Sequence, residues 1–317
     1  MNNLKLLKFF ISILLLTLLL WQLNFEKIKL LLITLNVTTV SWMLILLYTL
    51  IFFQGIRWWL IGKKLGINWS IRLAIKLTYV GIFFSQLLPS SMGGDAVRAW
   101  KLKRLGVSIS KAATSVFIDR ISALIAIFII FFLGLPLLYE IFYKLIDGLH
   151  TKAFYFSLMI FILLIATLVL AYCRLELIRQ NHYVGAIIRC LNEAASFYLS
   201  PSTLFITTVI SLVSQVISGF IVWMLAISFG AKFGFLEFSL VWPIILILTM
   251  LPISIAGWGV REGALVVAFK VLGNPPEVAL ASSVAYGILM LFVGVPGGII
   301  YFLSLVDSRK NYNLSDD

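Results

Sequence analysis

The chain has 317 residues, of which 62% are hydrophobic and only 12% are charged. Soluble domains are nearer one-half apolar and about one-quarter charged, so this composition excludes a soluble globular protein and predicts an integral membrane protein. The formal net charge is +12, which we assign to basic cytoplasmic loops that favour anionic lipids, and not to nucleic-acid binding.

Six apolar segments have the length of roughly 20 residues that a membrane-spanning helix needs. They are residues 4–23, 36–56, 112–136, 153–172, 204–228 and 278–304. The first is too long for the apolar part of a signal peptide and lacks a convincing small-residue cleavage site. We therefore expect it to be a retained helix.

Two further apolar regions, residues 72–110 and 238–273, contain one motif written twice. Residues 88–98 read LPSSMGGDAVR and residues 251–261 read LPISIAGWGVR, so both fit L-P-x-S-x-x-G-x-x-V-R. Proline and glycine break a helix, and short apolar runs around such a break predict a re-entrant pair of half-helices. The predicted break residues are Pro89, Gly93, Gly94, Pro252, Gly257 and Gly259.

The basic residues predict the orientation of these segments. With the N-terminus in the cytoplasm, the basic loops at 57–72, 101–111 and 173–203 and the C-terminus all fall on the cytoplasmic side, as the positive-inside rule requires. Three full spans then separate the two motif regions, so one dips in from each side of the membrane. This predicts an all-α polytopic membrane protein with about six full spans and two re-entrant half-helix pairs in an inverted-repeat arrangement, as in many secondary transporters.

The predicted domain organisation follows from this topology. We expect a single membrane domain, residues 1–317, with a first half at 1–172 and a second half at 204–306. Residues 173–203 form a cytoplasmic amphipathic linker, which is either an interfacial helix or a plain surface helix. Residues 307–317 are expected to form a short cytoplasmic tail.

The chemistry of the motif predicts an anion site. Asp95 is a plausible N-cap for a helix that carries Arg98 in its first turn, and the second copy repeats this arrangement up to Arg261. Free amides, the helix dipole and a guanidinium at one helix end together favour phosphate. The predicted head-group ligands are Arg98, Arg261, Ser91, Ser254 and Arg120.

Each candidate also has a plainer structural interpretation. Arg98 is explained equally by an i,i+3 ion pair with Asp95, whereas Arg261 lies on the side where basic residues are sparse. Asp119 and Arg120 begin a span, where either function or snorkelling to the interface explains them.

Glu262 fits either a partner for a cation or a proton, or a first-turn carboxylate favoured by the dipole, and we favour the dipole interpretation. Asp95, Asp119 and Glu262 are the candidates for ion pairing or coupling. The tryptophans at 58, 59 and 69 predict an interfacial aromatic belt.

Enzyme and metal signatures are missing from the sequence. It contains no Gly-x-Ser-x-Gly elbow, P-loop, HExxH or CxxC, and its two histidines are far apart. We therefore expect no catalytic residues, no metal and no cofactor.

Three segments resemble a known family. They are FFSQLLPSSMGGDAVRAWKLKRLGVSISKAATSVFIDRI at 83–121, LPISIAGWGVREGALVVAF at 251–269 and VPGGIIYFLS at 295–304. They are similar to the membrane region of lysylphosphatidylglycerol synthetases and to stand-alone flippase-like relatives. The resemblance implies a protein of the bacterial cytoplasmic membrane that moves an anionic or phosphate-bearing lipid between leaflets, such as a phospholipid, an aminoacyl-phospholipid or a polyprenol-linked sugar. Because the chain ends soon after its last span, we expect no soluble synthetase domain and no lysyl transfer.

Two rival functions stay open at this point. One is a scaffold subunit that binds lipid and presents it to a separate membrane transferase. The other is an intramembrane lipid-modifying enzyme, for which Asp95, Asp119 and Glu262 are the candidate carboxylates.

Overall fold

The structure is a computed structural model that describes residues 25–88, 93–143, 194, 197, 200–250 and 258–313. Within these ranges the chain is helical, with nine numbered helices and no strand. They are α1 (Phe25–Ile33), α2 (Val37–Lys64), α3 (Ile71–Leu87), α4 (Gly93–Arg104), α5 (Ile109–Tyr143), α6 (Pro201–Ser228), α7 (Phe235–Met250), α8 (Val260–Val271) and α9 (Pro276–Asn313).

Four of these helices are long and apolar enough to cross a membrane. They contain the candidate spans Val37–Lys64, Ile109–Gly134, Pro201–Ser228 and Pro276–Leu303, which agree with four of the six spans predicted from sequence. The predicted spans at 4–23 and 153–172, most of the linker at 173–203, and the last residues of the tail lie outside the described residues.

Each motif region contains two helices with a break between them, as the proline and glycine pattern predicts. Helices α3 and α4 flank the first break, and α7 and α8 flank the second. Pro89, Ser91, Pro252, Ser254 and Gly257 lie outside the described residues. Gly93 is the first residue of α4, and Gly259 immediately precedes α8 with a φ of 87°, a backbone angle that glycine adopts readily.

The repeat extends well beyond the motif itself. Helices α2 to α5 begin at residues 37, 71, 93 and 109, and α6 to α9 begin at 201, 235, 260 and 276, which are separations of 164, 164, 167 and 167 residues. The turns that follow α2 and α6 both use a glycine with positive φ, Gly66 and Gly230. The indole of Trp59 donates to the carbonyl of Trp69 at 3.2 Å, and the indole of Trp223 donates to that of Phe233 at 3.2 Å. The described helices α2 to α9 therefore fall into two successive sets of four with matching spacing, which we call the two copies of the repeat.

The two copies are interlocked. Helix α3 packs against α9, and its counterpart α7 packs against α5, so the first helix of each motif region contacts the last helix of the other copy. Helices α2 and α6, which are also counterparts, pack against each other.

Aromatic residues that were predicted to lie at the membrane interface are buried instead. Trp58 is 0% exposed and Trp69 is 8% exposed, and their rings meet edge to face with centroids 4.7 Å apart. The belt prediction is therefore wrong for these two residues, because both rings fill the core between α2, α3 and α4.

Helices α3 and α4 approach each other closely at a pair of glycines. A methyl group at Gly94 would collide with the carbonyl oxygen of Gly81 and the hydroxyl of Ser85. We therefore expect Gly94→Ala to lower the free energy of unfolding by about 1–3 kcal/mol, the usual cost of overpacking. Thermal unfolding of the purified protein in detergent measures this loss.

Gly263 in α8 offers a matched control. A methyl group there has no neighbour within 4 Å, so Gly263→Ala should be neutral or stabilising by up to about 1 kcal/mol because alanine favours helix. Equal melting temperatures for the two variants would contradict the close packing at Gly94.

Candidate functional site

A cavity of about 290 Å³ lies between the two copies of the repeat. Every helix from α2 to α9 contributes at least one residue to its wall. Both motif arginines, Arg98 from α4 and Arg261 from α8, line this same cavity. The structure thus brings together two side chains that are 163 residues apart in the sequence.

The first motif carries a buried network of charges. Asp119 accepts from Nε of Arg57 at 2.8 Å and from Nη2 of Arg98 at 3.2 Å. Asp95 accepts from Nη1 of Arg98 at 3.3 Å and from Nε of Arg120 at 2.5 Å. Of the three guanidinium groups, only that of Arg120 is substantially exposed, at 36% of its side chain. Each carboxylate therefore bridges two arginines across helices α2, α4 and α5.

The described part of this network carries one excess positive charge, because three guanidinium groups meet two carboxylates. Burial makes an uncompensated charge costly, so the network favours an anion in the adjoining cavity.

The Arg98 side chain is held in place on several sides. Its guanidinium carbon lies 3.8 Å from the centre of the Trp58 ring, a cation–π contact. Gly81 makes room for it, since a methyl group there would lie 2.5 Å from Cδ of Arg98. Within the described residues, the buried Nε of Arg98 has no hydrogen-bond partner. These contacts hold the guanidinium of Arg98 in a fixed position on the cavity wall.

The second motif carries a smaller charge pair. Glu262 is 0% exposed, and its carboxylate accepts from Nη2 of Arg261 at 2.8 Å, from Oγ of Ser283 at 2.7 Å and from the backbone N–H of Gly259 at 2.6 Å. Glu262 therefore acts both as a first-turn carboxylate at the start of α8 and as a partner for Arg261. Glu262 thus makes both contacts that the sequence left as alternatives, one with a cation and one with the start of the helix.

Arg261 is positioned much as Arg98 is. Its Nε donates to Oγ of Ser283 at 2.8 Å, and its guanidinium lies 5.1 Å from the centre of the Trp258 ring. Gly287 leaves space for both side chains, because a methyl group there would lie 2.9 Å from Nη2 of Arg261. In both motifs an arginine thus rests on an aromatic ring beside a glycine of a neighbouring helix.

Neutral polar side chains complete the cavity wall. Gln54, Thr78, Ser85, Gln86, Ser214, Gln215, Ser218 and Thr249 all line it. Hydroxyl and amide groups of this kind bind the uncharged hydroxyls of a polar head group. Within the residues the structure describes, no three His, Cys, Asp or Glu side chains converge as a metal site would require.

Two sequence-based assignments in this region are wrong. Helix α4 begins at Gly93, so Asp95 is its third residue and not its N-cap, and Arg98 lies in the second turn. The carboxylate of Asp95 is taken up by the two guanidinium groups. The plainer interpretation of Arg98, an ion pair with Asp95, is correct. Arg98 also forms an ion pair with Asp119.

Arg57 is the site residue that the sequence analysis missed. It was assigned to a cytoplasmic loop because the predicted span ended at residue 56, whereas α2 continues to Lys64 and buries Arg57 to 5% exposure. Apolar residues flank it on both sides, and Gln54 stands three residues earlier on the same helix face. An arginine inside an apolar run was the signal that pointed to it.

The chain matches the family described as the lysylphosphatidylglycerol synthase TM region over residues 5–298. It belongs to this family. A comparison with curated proteins found no match. Together with the four candidate spans, membership of the lysylphosphatidylglycerol synthase TM-region family makes this chain an integral membrane protein related to lipid handling. The family match includes both motifs and the helices that line the cavity.

Proposed function

We propose that this protein moves an anionic or phosphate-bearing lipid between the two leaflets of the bacterial cytoplasmic membrane. The observation that carries the proposal is that the arginines of both motifs line one polar cavity inside an otherwise apolar helix bundle. A polar cavity at the interface of two repeats is the usual position of a transport site.

The charge of the cavity selects the head group. The excess positive charge beside Arg98 favours a phosphate oxygen, and arginine's planar fork binds phosphate through two parallel hydrogen bonds. Neutral residues such as Gln54, Ser214 and Thr249 are available for hydroxyl groups on the rest of the head group. The acyl chains stay in the bilayer, so only the head group has to be desolvated.

The internal repeat suggests how two arginines serve one cargo. We propose that the copies have inverted topology with both termini in the cytoplasm, so that Arg98 faces the cytoplasmic approach and Arg261 the outer one. The head group is then passed from one guanidinium to the other as the two copies rock against each other. The exchanged packing of α3 on α9 and of α7 on α5 supports this arrangement, because two equivalent contacts can open in turn.

The carboxylates of the site support transport over catalysis. Asp95, Asp119 and Glu262 each accept a hydrogen bond from an arginine, so these carboxylates serve as partners within the protein and are not free for acid–base work on a substrate. We therefore propose that the protein is not an enzyme, with no cofactor, and that its ligands are membrane lipids.

Proteoliposomes containing the purified protein test this function. We expect faster movement of fluorescent phosphatidylglycerol than of fluorescent phosphatidylcholine with the same chains. Arg98→Gln and Arg261→Gln should each slow the movement of phosphatidylglycerol by about tenfold or more, because each removes a charge-assisted hydrogen bond.

Arg104→Gln is the matched control, since this arginine lies on the same helix as Arg98, is exposed, and contacts the Trp100 ring outside the cavity. It should transport at the wild-type rate. Undiminished movement in both the Arg98 and Arg261 variants would overturn their roles. Binding of phosphatidylglycerol without any movement would favour the scaffold function, in which a separate transferase uses the bound lipid.

A further inference from the structure

A second, apolar groove lies beside the polar cavity. It has a volume of about 220 Å³ and runs between α3 and α9. Phe83, Gln86 and Leu87 form one wall, and Leu291, Phe292, Gly294 and Val295 form the other. Gln86 is the one polar side chain among these seven residues.

The sequence of α9 explains why a groove forms here. Gly297 lies against the carbonyl of Tyr79, and Gly298 lies against the Phe83 ring, so α3 and α9 are in close contact at this level. Pro296 has no N–H to donate to the carbonyl of Phe292, which weakens the helix and favours a bend. One turn earlier Gly294 has no side chain, and an added methyl there would still be 3.5 Å from the nearest atom, Cα of Phe83. Because Gly294 has no side chain, the space beside Phe83 that a methyl group would fill to ordinary contact distance is left free, and it adjoins Leu291 in the groove.

The groove adjoins the cavity and opens to the outer surface of the bundle. Gln86 lines both spaces, and Met290 of the cavity wall is the neighbour of Leu291 in the groove. On the outer side, Leu87 is 58% exposed and Phe292 is 65% exposed. Because α9 contains a candidate membrane span, we expect this exposed apolar face to contact the hydrocarbon of the bilayer.

We propose that the groove between α3 and α9 is the side portal through which an acyl chain of an anionic glycerophospholipid extends into the bilayer while its head group occupies the cavity. This inference rests on the proposed function and adds the position of the lipid tail. The lining suits a hydrocarbon chain, and the shared Gln86 lies where the polar backbone of the lipid would pass from cavity to groove.

The groove determines where the acyl chain lies and adds little to the affinity for the lipid. Lipid tails are as apolar as leucine, so a chain gains little by moving from the bilayer into the groove. Occupancy of the groove therefore depends on the charge of the head group. A lipid that merely surrounds the protein would show no such dependence.

Photo-crosslinking distinguishes these two cases. The purified protein is placed in vesicles that contain either phosphatidylglycerol or phosphatidylcholine with the same diazirine-bearing acyl chain, and crosslinked residues are mapped by mass spectrometry. We expect labelling at Leu291, Phe292 and Leu87 to be about tenfold higher with phosphatidylglycerol, and Arg98→Gln to abolish the difference.

The outcomes separate the groove from the head-group site. Labelling that depends on phosphatidylglycerol but falls on other helices would overturn the groove and leave the head-group site standing. Equal labelling of the groove by both lipids, with a preference for phosphatidylglycerol elsewhere, would do the same. An absence of any preference would overturn the selection of the head group by its charge, and the groove proposal with it.

A filling variant gives an independent measurement. Val295 lines the groove and is 48% exposed, whereas Ile299, one turn along the same helix, does not line it and is 55% exposed. We expect Val295→Trp to slow the movement of phosphatidylglycerol in proteoliposomes, and Ile299→Trp to leave it at the wild-type rate. Equal rates in the two variants would contradict the proposal.

Discussion

Asp119→Ala is expected to destabilise the folded protein by about 3–5 kcal/mol, the usual cost of removing one partner of a buried ion pair. Asp119 is 4% exposed and lies between Arg57 and Arg98, which belong to different helices. Without this carboxylate, the hydrogen bond to the hydroxyl of Ser211 at 2.9 Å is the one that the guanidinium of Arg57 keeps within the described residues. Thermal or denaturant unfolding in detergent measures the loss.

Asp95→Ala is the control variant for the loss of stability expected of Asp119→Ala. Asp95 also bridges two arginines, but one of them, Arg120, has 36% of its side chain exposed and is hydrated when the carboxylate is removed. We expect a clearly smaller loss of stability than for Asp119→Ala. If the two variants unfold alike, the burial of Arg57 is not what makes Asp119 important.

Glu262→Ala should also lower the free energy of unfolding by about 3–5 kcal/mol, for a related reason. The variant removes the acceptor for Arg261, for Ser283 and for the N–H of Gly259 at the start of α8. It leaves a guanidinium at a buried position without its countercharge. A double variant, Glu262→Ala with Arg261→Met, should recover part of the loss because no charge is then left unpaired.

Glu277→Ala provides the control for Glu262→Ala. Glu277 is likewise an acidic residue in the first turn of a helix with a basic partner, but it meets Lys27 at 3.6 Å, and the lysine side chain is 51% exposed. An exposed pair of this kind contributes about 0–1 kcal/mol. A loss as large as that for Glu262→Ala would show that the first-turn position, and not the buried ion pair, is responsible.

The helices themselves were largely predictable. Four spans and both motif breaks follow from local properties, because apolar length marks a span and proline with glycine interrupts one. The boundaries were less accurate where a charge lies inside a helix. Arg57 ended the second predicted span eight residues before α2 ends at Lys64.

The site was predictable only in part. The repeated motif singled out Arg98, Arg261 and Glu262, which do line or adjoin the cavity. Trp58 was assigned to the membrane interface, whereas its ring lies under Arg98. Nothing in the local sequence distinguishes a tryptophan at an interface from one that packs on a guanidinium, since both follow an apolar run.

By itself, the sequence determined that this is a polytopic helical membrane protein with two copies of one arginine motif, because composition, span length and helix breaks are local properties of the chain. Only the tertiary structure decided which charges meet. Asp119 reaches Arg57 across 62 residues of sequence, and Arg98 and Arg261 share one cavity across 163. The Asp119–Arg57 pair arises from the packing of α2 on α5 within the first copy, whereas the shared cavity depends on packing between the two copies. The apolar groove beside the cavity arises where the glycines and proline of α9 meet α3. Such contacts depend on the way distant helices pack, which no short stretch of sequence encodes.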